Sequence, residues 1–95
     1  MSETDGQEER ERPEPLRGLE ADRIEDLDVR ELLREGGEPF GRIMAAAGSL
    51  PPDGVLRLRA IFEPEPLYAV MADRGFRHWT EQLGPEDWRV WFWRP

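Results

Sequence analysis

The stretch Gly36-Gly37-Glu38-Pro39-Phe40-Gly41-Arg42-Ile43-Met44 has the form of a helix entrance, where small α/β domains often keep their chemistry. Backbone N–H groups left open at a helix start attract anions and acidify a thiol set beside them. No thiol or hydroxyl stands in this stretch, and the chain as a whole has no cysteine. Glu38 here, and Glu63 with Glu65 before a second apolar run, put carboxylates where a helix dipole favours them and where a phosphate would be repelled. These acids therefore read as helix caps. His78 is the single histidine. An imidazole acts as a general base or a metal ligand only in company, and no cysteine or well-placed hydroxyl accompanies this one. Glu25, Asp26 and Asp28 resemble the start of a calcium loop, but the next ligand position is Arg30 and the glycine such a loop needs is missing. They read as a solvated strand edge. No nucleotide-phosphate or dinucleotide spacing occurs. The expectation is a non-enzymatic chain with no catalytic residues, no metal and no cofactor.

What could bind rather than react lies near the C-terminal end. Phe76 to Leu83 and Asp87 to Arg94 read as two strands joined by Gly84-Pro85-Glu86, hence an antiparallel hairpin. With Leu83 opposite Asp87, the register places Glu81 opposite Arg89, Trp79 opposite Trp91 and Arg77 opposite Trp93. These are an ion pair, an aromatic pair and a cation over a ring. Phe76, His78, Thr80, Trp88, Val90 and Phe92 then point the other way. One face of the sheet would carry Trp79, Trp91 and Trp93 amid Arg57, Arg59, Arg77 and Arg89, with no element of its own to cover it. Arginine beside tryptophan suits stacking on single-stranded nucleic acid, and it equally suits the anchors of a protein interface. Charge decides between them. Residues 1 to 38 hold 14 acids and 6 arginines, which is the whole formal charge of −8, and the remainder is neutral. A neutral folded part lacks the basic footprint of nucleic-acid binding, so a protein partner or a homodimer is expected and nucleic acid is not.

The elements that must position these residues follow from period and punctuation. Residues 1 to 20 are highly charged, poor in large apolar groups and aperiodic, and are expected to form a disordered acidic tail before a single domain at residues 21–95. Glu25 to Arg30 alternates as a strand, with Leu27 and Val29 inward. Phe40, Ile43, Met44 and Ala47 share a helical face, with Gly48 as its left-handed stop. Val55 to Phe62 alternates as a second strand, its Arg57 and Arg59 facing water. A second helix buries Leu67, Val70 and Met71 and ends at Gly75, with Phe76 as its lid. The resulting order, βαβαββ, predicts an α/β (α+β) two-layer sandwich: a four-stranded mixed sheet with both helices on one face and the first two strands parallel. A groove between Tyr68 and the two helix entrances would be the place for a small ligand in a sensing role. No apolar run reaches ten residues, so no membrane span or signal peptide is expected, and a cytoplasmic setting follows.

The runs LDVREL, GGEPFGRIM, FEPEPLYAVMADRGF and LGPEDWRVWFW resemble the bacterial domain of unknown function 2249, over about Leu27 to Trp93. That family is similar in fold to small sulfur carriers of the TusA and SirA type. The carriers hold a Cys-Pro pair at the first helix entrance; aligned on Glu38-Pro39, those two places here are Gly36 and Gly37. The resemblance therefore implies the architecture without the sulfur relay. Members often have an Asp-His pair before the second proline-rich turn, and here those positions read Ile61-Phe62, so no metal or acid-base role carries over. Fusions of relatives to hemerythrin-like iron domains imply an accessory role near oxygen or nitrogen-oxide chemistry.

Overall fold

The computed structural model describes residues 11–95; the part of the expected tail at 1–10 lies outside them. The elements are β1 (Ile24–Asp28), α1 (Arg30–Arg34), α2 (Phe40–Ser49), β2 (Val55–Ala60), α3 (Glu65–Asp73), β3 (Arg77–Gly84) and β4 (Asp87–Trp93). They form an α+β fold around one four-stranded mixed sheet of order β1-β2-β4-β3, with β1 parallel to β2 and the other neighbours antiparallel. Ile43 and Ala47 of α2 and Leu67 and Met71 of α3 pack with Leu56, Leu58 and Ala60 of β2 and Val90 and Phe92 of β4 in one buried cluster. Alternation along the strands supplies one half of that core and helical spacing the other.

Local chemistry sets the boundaries. The Asp28 carboxylate accepts from the Arg30 backbone N–H at 3.0 Å and grips the same residue's guanidinium, turning the chain out of β1 into α1, a helix the alternation pattern did not predict. Val29 still bonds across to the Arg59 carbonyl at 3.0 Å and is buried. The glycine pair of the expected doorway belongs to the end of α1. Gly36, at φ 80°, donates to the Leu33 carbonyl and Gly37 to that of Leu32, the two bonds of a left-handed helix stop. A Cβ on Gly37 would collide with the Leu32 side chain. Gly48, expected to stop α2, lies inside the helix without a positive φ; α2 ends because Leu50 precedes Pro51 and is held extended at φ −68°, ψ 138°. The stop of α3 is as expected: Gly75 at φ 88° donates to Ala72, Phe76 donates to Met71, and the Phe76 ring is buried.

The hairpin keeps the expected pairs Glu81 with Arg89, Trp79 with Trp91 and Arg77 with Trp93. Its turn differs. Gly84, not Leu83, faces Asp87, and an irregularity between Gln82 and Gly84 turns Leu83 out to 42% exposure.

Residues 11–20 correct the expected disordered tail. Short 3-10 turns at Glu14–Leu16 and Ala21–Arg23 carry the chain across the sheet face opposite the helices, and Leu16 is 0% exposed there. Burying that leucine contributes about 2 kcal/mol toward holding a strap whose own sequence has no helical or strand period.

Candidate functional site

The face expected to be bare is built in rows. Strand pairing sets Ile24, Val55, Trp93 and Arg77 in one row, Asp26, Arg57, Trp91 and Trp79 in the next, and Asp28, Arg59, Arg89 and Glu81 in a third. The face thus grades from apolar to charged along the strand direction. Its apolar end is covered: Leu16 packs with Val55, Trp91 and Trp93, and Leu19, Ile24 and Trp79 close around them. Trp91 is 0% and Trp93 8% exposed, which corrects the expected open tryptophan surface. The physical reason is that three rings on one face meet a leucine supplied by the same chain, and apolar area leaves water whenever cover is available.

Trp91 is also held by charge. Its indole N–H donates to Glu81 Oε1 at 2.7 Å, and Arg89 Nε donates to the same oxygen at 2.7 Å. The guanidiniums of Arg12, Arg57 and Arg89 stand 4.7, 5.1 and 5.5 Å from the ring centre. Burial pushes the Glu81 carboxyl up, but the hydrogen bonds from Arg89 and Trp91 outweigh it and hold the group below the usual carboxylate range.

In the charged row, Arg59 lies directly opposite Arg89, a repulsive pairing that each resolves with its own acid, Asp87 for Arg59 and Glu81 for Arg89. Arg57 grips Asp26 through two bonds of 2.6 and 2.8 Å, and its hydrogen bond to that acid raises its own pKa. The hydrogen bond from Arg30 holds Asp28 down at about 2. A shallow cavity of about 290 Å³ opens over Asp26, Asp28, Arg57, Arg59 and Arg89. Every charge lining it is already matched, so it offers neither an anion nor a cation site. Of the expected contact residues, Trp91 and Trp93 are buried, Trp79 is half-buried, Arg57, Arg59 and Arg89 are half-buried in ion pairs, and only Arg77 is exposed.

The helix side carries the second surface. Between the α1–α2 connection and the entrance of α3 runs an apolar groove of about 440 Å³, lined by Leu33, Glu38, Phe40, Ile43, Phe62 and Leu67 among others. Phe40 and Phe62 are 45% and 51% exposed, against the expectation that both point inward. Phe62 lies beyond the end of β2, and Phe40 is off the stripe that Ile43 and Ala47 turn to the sheet. Among the described residues Glu38 is the single ionisable one lining the groove, and its carboxylate, one position before the Pro39 cap, accepts from the Phe40 backbone N–H at 2.6 Å at the positive end of the helix dipole.

Tyr68, expected beside this groove, faces the sheet instead. Its ring stacks on His78 with centroids 3.8 Å apart and planes 6° from parallel, and its hydroxyl bonds Thr80 and Glu63. Burial pushes that hydroxyl up to about 12. His78 thus serves a clasp between α3 and β3. Among the described residues no group of three or more metal-ligating side chains occurs, and no helix is long and apolar enough to cross a membrane.

No curated protein and no solved structure matches this chain. A family model does, that of the uncharacterized conserved proteins DUF2249, and it covers residues 26–94, from the middle of β1 through the end of β4. A match over that much of the chain, on the elements that build the sheet and both of its long helices, places the protein in the DUF2249 family.

Proposed function

We propose that this domain works by binding rather than by catalysis, as an accessory module that takes apolar side chains of a protein partner into the groove between the entrances of α2 and α3. The observation that carries this reading is that Phe40 and Phe62, two of the large apolar residues exposed among the described residues, line one groove whose single carboxylate is already engaged. Exposed rings gathered in one concave, mostly apolar place are the pattern of a contact surface. The groove's lining has no nucleophile and no metal cluster, and its one carboxylate is engaged by the Phe40 backbone N–H, which supports a non-enzymatic role. The two-layer plan resembles the small sulfur carriers, but a chain without cysteine has no thiol to load. A bacterial, cytoplasmic setting belongs to the same reading.

The groove's size favours one second reading. At about 440 Å³ it falls in the range of small-molecule sites, so an apolar ligand in a sensing role would also fit. A Phe62→Glu variant tests the proposal, because it puts a charge into the groove at a half-exposed position that the core does not need. Proteins retained by the immobilised wild type and not by the variant, with unfolding temperature unchanged, are the expected outcome. An identical retained set overturns the protein-partner reading, and a thermal shift of the wild type alone by apolar small molecules would replace it with the second.

A further inference from the structure

The sheet has two edges, β1 and β3, and they are not alike. β1 is five residues long and three of them are acids, Glu25, Asp26 and Asp28, so a second copy brought alongside meets like charge. That is how an edge is guarded against pairing. β3 is eight residues long, and from Arg77 to Gln82 it has no proline, no glycine and no bulge; the irregularity begins only after Gln82. The charges in this run are Arg77 and Glu81, opposite in sign and two residues either side of Trp79. Arg77 is exposed and has no acid partner among the described residues. Glu81 uses Oε1 for both Arg89 and Trp91, while its Oε2 takes no hydrogen bond among the described residues.

We infer that β3 pairs antiparallel with β3 of a second copy of the chain about a two-fold axis at Trp79, joining the two sheets into one. In such a pairing the residues equally far before and after the axis face each other. Centred on Trp79, Arg77 faces Glu81 of the partner subunit, and the same contact occurs again across the axis. Trp79 faces its own copy, and His78 faces Thr80 of the partner subunit. Centring on Thr80 instead sets Trp79 against Glu81 and Arg77 against Leu83, and centring on Glu81 sets two acids together. Only the Trp79 register matches the free guanidinium to the free carboxylate oxygen. An axis perpendicular to the sheet keeps both helix layers on one side and both straps on the other, so neither the strap nor the groove of either copy is obstructed.

The test uses the full chain. Sedimentation equilibrium should show wild-type dimer at tens of micromolar, and Arg77→Glu should raise the dimer dissociation constant about tenfold or more by replacing two attractive contacts with two repulsive ones. Arg77 is exposed and has no acid partner among the described residues, so this variant keeps the fold. Because the chain has no cysteine, register is read separately by Trp79→Cys, which should oxidise to a covalent dimer, and by Gln82→Cys, which should not. A wild type that stays monomeric into the millimolar range overturns the inference, as does a dimer indifferent to Arg77→Glu or one that cross-links equally at Gln82→Cys. Phe62→Glu should leave dimerisation unchanged, which keeps this result independent of the groove.

Discussion

The two faces of the sheet solve the same problem with different materials. On one, α2 and α3 lay regular apolar stripes over Leu56, Leu58, Ala60, Val90 and Phe92, and the contact is apolar but for the Tyr68 clasp on His78 and Thr80. On the other, a strap of prolines and arginines covers only the apolar end, with Leu16 as its anchor, and the rest is an ordered set of ion pairs around Trp91. The helix face is redundant, many residues each contributing a little. The strap face concentrates its stability in a few contacts, and those few are where substitution should show most.

The largest expected effect is at Leu16. Leu16→Asp puts a carboxylate at a 0% exposed position against Trp91, and should cost about 4 kcal/mol, measured by urea unfolding, with tryptophan emission shifting to the red. A loss under about 1 kcal/mol would mean that the strap is decoration and that the contrast between the faces is false. Next comes Glu81, whose side chain is 13% exposed beside an Arg89 at 17%. Glu81→Leu strands the guanidinium and the Trp91 indole N–H together, and should cost about 3 kcal/mol; Glu81→Gln, which still accepts from the indole, should cost visibly less. Equal costs would mean that charge does nothing on this face.

The smallest effects are read by pH, and they load the two faces separately. Asp28, on the ion-pair face, is depressed from 3.8 to about 2, so its contribution is fully present above the unfolded value and is lost as pH falls through that interval. Tyr68, in the clasp on the helix face, is raised from 10.0 to about 12, so above the lower value the unfolded chain gives up its proton first and stability declines as pH rises toward the upper. Tyr68 is the chain's single tyrosine, and tyrosinate absorbance follows it directly. Asp28→Asn should flatten the acid limb and leave the alkaline limb alone, and Tyr68→Phe should do the reverse. A variant that moved both limbs would show the faces to be coupled.

How much of this was legible in the sequence follows the same division. The helix face was readable because it is periodic: Leu56, Leu58 and Ala60 alternate, Ile43 and Ala47 are one turn apart, and Leu67 and Met71 repeat that spacing. The hairpin register was readable because only one alignment makes Glu81 meet Arg89 while Trp79 meets Trp91. The strap was not, since its burial depends on one leucine finding a surface made by Trp91 and Trp93 far along the chain, and aperiodic sequence carries no local signal of such a contact. A signal did exist at the other end: tryptophan rings on a face with no helix to cover them call for cover from somewhere. Phe40 and Phe62 differ from expectation for the opposite reason. Apolar residues near a helical stripe or at a strand end look like core, and only the orientation of α2 and the early end of β2 put them outside.

The seat of the strap also has a consequence for how the chain comes to be folded. Leu16 is made early and its partners on β4 are made late, with every other element between them. β4 is also the strand between β2 and β3, so until it emerges β3 has no neighbour and β2 is paired on one side alone. During synthesis Leu16 first has Ile24 and Val55 to settle on, and the aromatic residues that complete the sheet are the ones that finish the strap's seat. Closing so long a loop carries an entropic cost that local contacts do not offset in advance, which sets this mixed sheet apart from the fastest-folding helical bundles. The acids crowded into the leading third of the chain put the net charge on the segment made first, and like charge disfavours association between chains.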